Sequence, residues 1–157
     1  MATEIERKFL VLNDDWLNSV DSDVHIVQGY LATNELSSTR IRIQDNKANI
    51  NIKSATLDIT RTEFEYDIPV VDAQSMINEL CIKPVIEKTR FTVKHVRHIW
   101  EIDVFSGDNE GLIVAEIELS SSDEAFEKPS WLGKEVSNDA RYYNACLVKN
   151  PYKTWSL

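Results

Sequence analysis

Glycine, proline, cysteine and histidine are all scarce in this chain, whose 157 residues include four Gly, four Pro, two Cys and three His. The four glycines do not form G-x-x-x-x-G-K or G-x-G-x-x-G, the loops whose backbone binds phosphate in P-loop and dinucleotide-binding proteins. Any phosphate must therefore be bound by side chains. So little Gly and Pro also excludes collagen-like, linker-rich and low-complexity chains.

Long apolar runs and zinc-binding motifs are absent as well. No stretch approaches 18 apolar residues, and neither C-x-x-C nor H-E-x-x-H occurs, so we expect no membrane span and no structural zinc. Cys81 and Cys146 are far apart, and each lies in an apolar helical pattern. We therefore expect two buried free thiols. The N-terminus MATEIERKF has no signal-peptide pattern, so we expect a cytoplasmic protein. The length predicts a single domain over residues 1–157.

The net charge of −9 excludes a uniformly basic surface for nucleic acid or an anionic membrane. Apolar and polar residues alternate along most of the chain, which is typical of strands buried on one face. The alternation predicts eight strands, over residues 3–11, 24–33, 38–45, 48–54, 59–68, 84–94, 98–105 and 112–119. The fold class is therefore mostly β (α+β).

The helical patterns are short. We expect a turn of helix within residues 13–19, a helix capped by Asp72, and a brief helix capped by Ser122 or Asp123 that runs through residue 126. A C-terminal helix capped by Asp139 should end before Pro151. Residues 131–133 are expected to form a loop.

Charged side chains occupy the polar faces of seven predicted strands and are segregated by sign. These residues are Glu4, Glu6, Lys8, Arg40, Arg42, Lys53, Glu63, Glu65, Lys88, Arg90, Glu101, Asp103, Glu116 and Glu118. Like charges side by side repel, so each acidic pair needs a cation nearby. Eight antiparallel strands can close into a barrel, and if helices and Trp16, Trp100 and Trp131 cover the apolar faces outside, the charges line the lumen.

Such a lumen would combine two kinds of binding group. Carboxylate pairs suit hard cations such as Mg²⁺ or Mn²⁺, and Lys and Arg pairs suit phosphate oxygens. The sequence therefore predicts a site for a highly charged, metal-bound polyphosphate. The charged face argues against a lipocalin-like carrier, which needs an apolar lumen.

The first strand carries the E-x-E-x-K motif Glu4-Ile5-Glu6-Arg7-Lys8. Further pairs follow in order at Arg40-Ile41-Arg42, Ile52-Lys53, Glu63-Phe64-Glu65, Lys88-Thr89-Arg90 and Glu116-Ile117-Glu118, with a tail motif over residues 133–142. From residue 3 to about residue 148 the chain resembles the CYTH family, the triphosphate tunnel metalloenzymes. The resemblance implies an eight-stranded antiparallel closed β-barrel, or tunnel, with short flanking helices and a C-terminal helix.

The resemblance also implies roles for individual residues. The implied metal ligands, for Mg²⁺ or Mn²⁺, are Glu4, Glu6, Glu63, Glu65, Glu116 and Glu118. The implied substrate-binding residues are Lys8, Arg40, Arg42, Lys53, Lys88 and Arg90, with Arg141 if its helix docks near a tunnel mouth. The expected catalytic residues are Lys8, Glu4, Glu6 and Lys88. Lys8 would orient or deprotonate the attacking water if neighbouring cations lower its pKa.

The function we expect is metal-dependent hydrolysis of inorganic triphosphate to pyrophosphate and phosphate. Alternatives in the same family are a thiamine triphosphatase, a nucleoside triphosphatase or a class IV adenylyl cyclase, but no aromatic cluster or base-reading motif stands out. A non-catalytic polyphosphate-binding module would tolerate the loss of carboxylates that are present here. The expected partner is a small-molecule polyphosphate, with no nucleic acid and no membrane, and the protein is expected to be a monomer or a homodimer.

Overall fold

Eight antiparallel strands close into a barrel in the computed structural model, which describes residues 2–156. The strands are β1 (Ala2–Val11), β2 (Val20–Thr33), β3 (Ser37–Gln44), β4 (Lys47–Ser54), β5 (Thr60–Ile68), β6 (Ile82–His95), β7 (His98–Phe105) and β8 (Ile113–Glu118). Their order around the barrel is β5-β4-β3-β2-β6-β7-β8-β1, and pairing between β1 and β5 completes the closure. The eight predicted strands and the closed barrel are confirmed, with ends that differ by a few residues.

The strand β1 holds the barrel closed because it pairs along both of its edges. Residues 2–5 pair with β5, which places Glu4 opposite Arg61, and residues 6–10 pair with β8, which places Glu6 opposite Glu118 and Lys8 opposite Glu116. Acidic and basic side chains from three strands are therefore adjacent in the ladder. This register brings the E-x-E-x-K motif next to the acidic pair of β8.

A ninth strand, β9 (Leu132–Glu135), pairs with the end of β1, so the prediction of a loop at residues 131–133 is wrong for Leu132 and Gly133. The strand approaches β1 closely: a Cβ atom at Gly133 would lie 2.9 Å from the carbonyl oxygen of Leu10. Only glycine fits this approach without displacing the backbone. Strand β9 has only four residues, which are too few for the alternation of apolar and polar residues to reveal a strand.

The helices differ more from the sequence prediction. Helix α1 (Val70–Glu79) follows Pro69, so Asp72 lies in its first turn and is not its cap. Proline fixes an extended entry and its carbonyl accepts the first helical hydrogen bond, from the N–H of Ala73, at 3.0 Å. The expected turn near the N-terminus is present as a 3₁₀ helix, Asp15–Ser19.

The predicted C-terminal helix is divided in two. Asp139 does accept a hydrogen bond from the Arg141 N–H, but it caps a 3₁₀ helix, Ala140–Tyr142. Tyr143 is extended, with φ −71° and ψ 134°, and α2 (Asn144–Lys149) begins after it. Further 3₁₀ helices are Gly107–Asn109 and Tyr152–Thr154.

The brief helix predicted from Ser122 or Asp123 is wrong, because residues 121–126 form a turn and then irregular chain. Local hydrogen bonds explain the difference: the Glu124 carboxylate accepts from the Ser120 N–H at 2.5 Å and binds the His98 ring at 2.8 Å. Acidic and serine side chains that bond to nearby groups compete with helix formation.

Apolar side chains cover the outside of the barrel, as the alternation predicts. Trp16, Trp100 and Trp131 are almost fully buried in a cluster that also contains Phe9. Helix α1 covers a second outer region, where Ala73 and Ile77 pack in a cluster with Ile41. These contacts leave the opposite faces of the strands for the interior.

Helix α2 packs against a third apolar cluster, which lies at one end of the interior. Leu147 and Val148 of α2 pack in a cluster with Tyr30, Ile86 and Val114. Ile86 and Val114 lie two residues before Lys88 and Glu116, so they share the inward faces of β6 and β8. One part of the interior is therefore apolar and the rest is charged.

Within residues 2–156, no helix is long and apolar enough to cross a membrane.

Candidate active site

A cavity of about 630 Å³ occupies the charged part of the barrel interior. Side chains point alternately in and out along a strand, so residues two apart in each motif enter the same space. The structure brings together in this cavity Glu4, Glu6, Lys8, Arg40, Arg42, Lys53, Glu63, Glu65, Lys88, Arg90, Glu116 and Glu118. These are all the predicted site residues except Arg141.

Two of the cavity carboxylates are held by cations. Glu4 accepts from Lys53 Nζ at 2.8 Å through both oxygens, and Arg61 Nη2 lies 3.5 Å from Glu4 Oε2. Glu116 Oε1 lies 3.1 Å from Lys8 Nζ, and its Oε2 accepts from Arg90 Nη2 at 3.2 Å. Burial by itself would raise the pKa of Glu116, but the nearby cations outweigh burial and hold that pKa well below its usual range.

Two other carboxylates carry no such partner. In the described part of the chain, neither Glu6 nor Glu118 forms an ion pair or a side-chain hydrogen bond. Burial, with repulsion from Glu116 and Glu4, raises the pKa of Glu6 from 4.5 to about 7. Burial also raises the pKa of Glu118, and Glu4 adds to that effect. This side of the cavity therefore favours an added cation.

The opposite imbalance occurs at Arg40 and Arg42 on β3. Arg40 is buried, and its Nε has no hydrogen-bond partner among residues 2–156. Among the described residues, Arg42 donates only to a neutral group, the Gln28 Oε1, at 3.0 Å and 2.9 Å. Burial lowers the pKa of Arg42 to about 9, and repulsion from Arg40 and Arg90 contributes. Two guanidinium groups without a carboxylate favour an added anion.

Asp103 does not line the cavity, but it contacts two of the cations that do. It is fully buried and binds Lys88 Nζ at 2.5 Å and Arg90 through Nε at 2.7 Å and Nη2 at 2.9 Å. Arg90 also binds Glu101 at 2.5 Å. Burial alone would raise the pKa of Asp103, but Arg90 and Lys88 outweigh it and lower that pKa. Asp103 thereby fixes the direction of two cations that line the cavity.

Glu63 and Glu65 form a separate acidic pair on β5. The Asn51 amide donates to both of them, to Glu65 Oε2 at 3.0 Å and to Glu63 at short range. No cation pairs with either carboxylate within the part of the chain that the structure describes. Their charges remain available toward the cavity.

The donor set fits a hard divalent cation in its chemistry. Glu4, Glu6, Glu116 and Glu118 supply carboxylate oxygens from two neighbouring strands, and within residues 2–156 neither Glu6 nor Glu118 is paired with a cation of the protein. Over residues 2–156, no three His, Cys, Asp or Glu side chains are arranged closely enough to hold a metal. Binding one would require some of these carboxylates to reorient, and Glu4 and Glu116 would then exchange contacts with Lys53, Lys8 or Arg90 for the metal.

Comparison with known proteins agrees with this geometry. The family model of the CYTH domain matches residues 2–145 of the chain. The chain belongs to the CYTH family.

This CYTH domain has curated relatives of the same length. One, named inorganic triphosphatase, from Acetivibrio thermocellus, is 44% identical over 155 residues, which is 99% of each chain. Another with that name, from Nitrosomonas europaea, is 36% identical over 153 residues, covering 93% of this chain and 97% of the other. The crystal structure of the inorganic triphosphatase NE1496 is 34% identical, with a TM-score of 0.66 over 94% of this chain and 95% of that one.

Arg141 does not reach the cavity of this CYTH domain. Its guanidinium binds Asp139 Oδ2 at 2.6 Å and lies over the rings of Tyr142 and Trp155. Ala140 of the same 3₁₀ helix lines the cavity, whereas the Arg141 side chain is 58% exposed. The structure gives Arg141 no contact with the other predicted phosphate-binding residues.

The condition under which Lys8 would deprotonate the attacking water, a pKa lowered by neighbouring cations, is not met. Burial and Arg61 act in that direction, but Glu116 and Glu6 outweigh them and raise the pKa of Lys8. Lys8 also donates to the Tyr142 carbonyl at 3.2 Å. Lys8 is therefore a cation that its carboxylate neighbours keep protonated. Such a group is better suited to binding and orienting an oxygen of the substrate or of water than to abstracting a proton.

Several cavity residues were not selected from the sequence. Arg61 lies two residues before Glu63, so the alternation itself could have found it. Asn51 lines the cavity without carrying a charge, and the fully buried Asp103 contacts the cavity cations Lys88 and Arg90. Tyr143 and Asn144 line the cavity from the C-terminal segment, and no sequence motif indicates this.

Replacing Glu6 by Gln should stabilise the metal-free protein in a pH-dependent way. Because the folded pKa of Glu6 is raised from 4.5 to about 7, its ionisation costs folding free energy as pH rises through that interval. A gap of that size corresponds to about 3 kcal/mol. We expect Glu6→Gln to match wild type at pH 4 and to exceed its unfolding free energy by up to about 3 kcal/mol at pH 8 in EDTA, measured by urea denaturation. Equal unfolding free energies of Glu6→Gln and wild type at both pH values would contradict the raised pKa of Glu6.

Proposed function

We infer that this CYTH domain is a metal-dependent inorganic triphosphatase, which hydrolyses tripolyphosphate to pyrophosphate and phosphate. One observation carries the inference: uncompensated guanidinium groups at Arg40 and Arg42 face the same cavity as uncompensated carboxylates at Glu6 and Glu118. A polyphosphate with a bound divalent cation supplies both missing charges at once. The relatives of equal length that are named inorganic triphosphatase support this choice.

The reaction requires positioning and charge neutralisation more than covalent chemistry. A water oxygen attacks a terminal phosphorus, the bond from that phosphorus to the bridging oxygen breaks, and pyrophosphate leaves with the electron pair. Arg40, Arg42 and Lys53 would bind phosphate oxygens along the cavity. Lys88 and Arg90, fixed by Asp103, would neutralise the charge that develops on the leaving pyrophosphate.

The residues that would hold the metal are Glu4, Glu6, Glu116 and Glu118, and Glu63 and Glu65 would hold a second ion or orient its waters. A bound Mg²⁺ or Mn²⁺ would neutralise phosphate oxygens and lower the pKa of a water molecule. Lys8 binds the metal-binding carboxylate Glu116 at 3.1 Å and also belongs to the proposed phosphate-binding cations. It therefore lies where these two sets of residues meet. We assign it to orienting the attacking water or a terminal phosphate oxygen.

The test is phosphate release from tripolyphosphate with Mg²⁺ or Mn²⁺, with EDTA as the control. We expect turnover that depends on the metal and leaves pyrophosphate as the second product. ATP and thiamine triphosphate in parallel assays test the organic substrates of the family. Tight binding of tripolyphosphate with no phosphate release under any metal would instead show a binding module.

The same proposal includes a cytoplasmic location and a monomer or homodimer. The two cysteines remain free thiols, Cys81 buried and Cys146 half-buried, which agrees with a reducing compartment. Cell fractionation and sedimentation of the purified protein test these two points.

A further inference from the structure

Two amide side chains outside the charged motifs lie next to the phosphate-binding cations. Gln28 of β2 is fully buried; its Oε1 accepts from Arg42 Nε at 3.0 Å and Nη2 at 2.9 Å. Its Nε2 donates to Asn144 Oδ1 at 3.0 Å. The same oxygen of Asn144 accepts from Lys88 Nζ at 3.0 Å. One continuous chain of hydrogen bonds therefore joins Arg42 to Lys88.

The direction of these bonds is fixed by the two ends. Arg and Lys side chains are donors only, so Gln28 must present its oxygen to Arg42 and Asn144 must present its oxygen to Lys88. Gln28 then has only its amide N–H to offer Asn144, which is the group that the Asn144 oxygen accepts. Every hydrogen bond in the bridge pairs a donor with an acceptor, and a reversal of either amide would set donor against donor.

The bridge also fastens the C-terminal segment to the cavity. Asn144 is the first residue of α2, and Leu147 and Val148 of that helix are buried in the apolar cluster at the end of the barrel. The neighbouring residue Tyr143 lies under Lys8, whose Nζ is 5.6 Å from the centre of the Tyr143 ring. The docking of α2 therefore determines where Asn144 stands relative to Lys88.

We propose that Gln28 and Asn144 are positioning residues, an amide bridge that holds Arg42 and Lys88 in the geometry needed to bind the phosphate chain. The inference rests on the proposed function, because Arg42 and Lys88 matter here as ligands of the substrate. Among residues 2–156, Arg42 has no carboxylate partner, and Lys88 has Asp103 as its one other anchor, so the bridge supplies the second contact that fixes Lys88 and the contact that fixes Arg42. The bridge orients these cations without adding a charge that would repel the substrate.

The test uses near-isosteric apolar replacements, Gln28→Met and Asn144→Leu, alone and together. Each single variant removes hydrogen bonds to a cation, and we expect kcat/KM for tripolyphosphate with Mg²⁺ to fall roughly ten- to hundredfold. The loss should fall mainly on KM, because misplaced cations bind the phosphate chain less well. A loss of folded protein would lower kcat and leave KM unchanged.

The double variant separates positioning from stability. Each single variant leaves the other amide without its partner in the bridge, whereas the double variant removes both amides, so its Tm should be no lower than that of the less stable single variant. Its KM should remain as high as in the worse single variant, because the two residues act as one unit. Recovery of KM together with Tm would reduce the bridge to a structural role and overturn the proposal.

Asn150→Leu is the matched control. Asn150 follows the last residue of the same helix and is exposed, and within residues 2–156 its side chain accepts only from Thr154 Oγ1, at 3.2 Å. It should leave KM unchanged. An active wild-type enzyme with unchanged KM in both single bridge variants would overturn this inference alone. A wild-type protein that does not hydrolyse tripolyphosphate would overturn the proposed function and the inference with it.

Discussion

Glu116→Gln is expected to lower kcat/KM for tripolyphosphate by at least tenfold. Changes around a bound metal typically cost ten- to hundredfold. Glu116 pairs with Lys8 and Arg90 and lies opposite Lys8 in the barrel ladder. The amide keeps the shape of the carboxylate but supplies no negative charge to a cation. The measurement is phosphate release over a range of Mg²⁺ or Mn²⁺ concentrations, and the loss should be largest at limiting metal. Glu4→Gln should behave alike.

The matched control is Glu87→Gln, which changes a half-exposed carboxylate whose only ion pair, within residues 2–156, is with His25 at 3.8 Å. It carries the same loss of charge without touching the cavity, and its activity should equal that of wild type. Full activity of Glu116→Gln at limiting metal would remove Glu116 from the proposed ligand set.

Stability should separate two carboxylates that the sequence treats alike. Glu6 is crowded by Glu116 and Glu4, so neutralising it relieves repulsion in the metal-free protein. Glu116 is held by cations that lower its pKa, so its charge stabilises the fold above that pKa and Glu116→Gln should lose stability at pH 8. Opposite changes in Tm for the two variants, measured in EDTA, would support this division of roles.

The barrel and the contents of its cavity could be predicted from the sequence because both depend on a period of two. In each motif the charged residues are separated by one residue, so they share a face whatever the neighbouring strands do. Strand β5 is an example: Arg61, Glu63 and Glu65 are each two residues apart, and all three line the cavity. Which carboxylate meets which cation depends on register between strands, which alternation does not contain.

The C-terminal part of the site could not be predicted in this way. Asn144 and Tyr143 reach the cavity because the chain becomes extended at Tyr143 and α2 then docks on the apolar end of the barrel. Arg141, predicted to bind phosphate, pairs instead with Asp139 and is exposed. Neutral residues such as Gln28 carry no charge signal, and their role is visible only in the hydrogen bonds they complete.

The enzyme should prefer tripolyphosphate to ATP by at least about tenfold in kcat/KM. Where ATP carries an ester to ribose, tripolyphosphate ends in ionised oxygens that a further cation of the cavity can bind. A hydrogen bond to a charged group contributes roughly 1.5–3 kcal/mol. One more such contact in the transition state therefore corresponds to roughly 10- to 150-fold in kcat/KM. The check is the rate of phosphate release from both substrates at equal Mg²⁺, below saturation.

The lining of the cavity supports the same order of substrates. Its aromatic side chains, among the described residues, are Tyr30 and Tyr143. Tyr30 is buried in the apolar cluster beneath α2, and Tyr143 lies against Lys8 and Arg61 while its hydroxyl donates to the Ser137 carbonyl at 2.8 Å. Both rings are thus engaged by the protein, so neither offers a free face on which a purine could stack. Equal or higher kcat/KM for ATP, or formation of cyclic AMP, would show that the cavity instead accommodates a nucleoside.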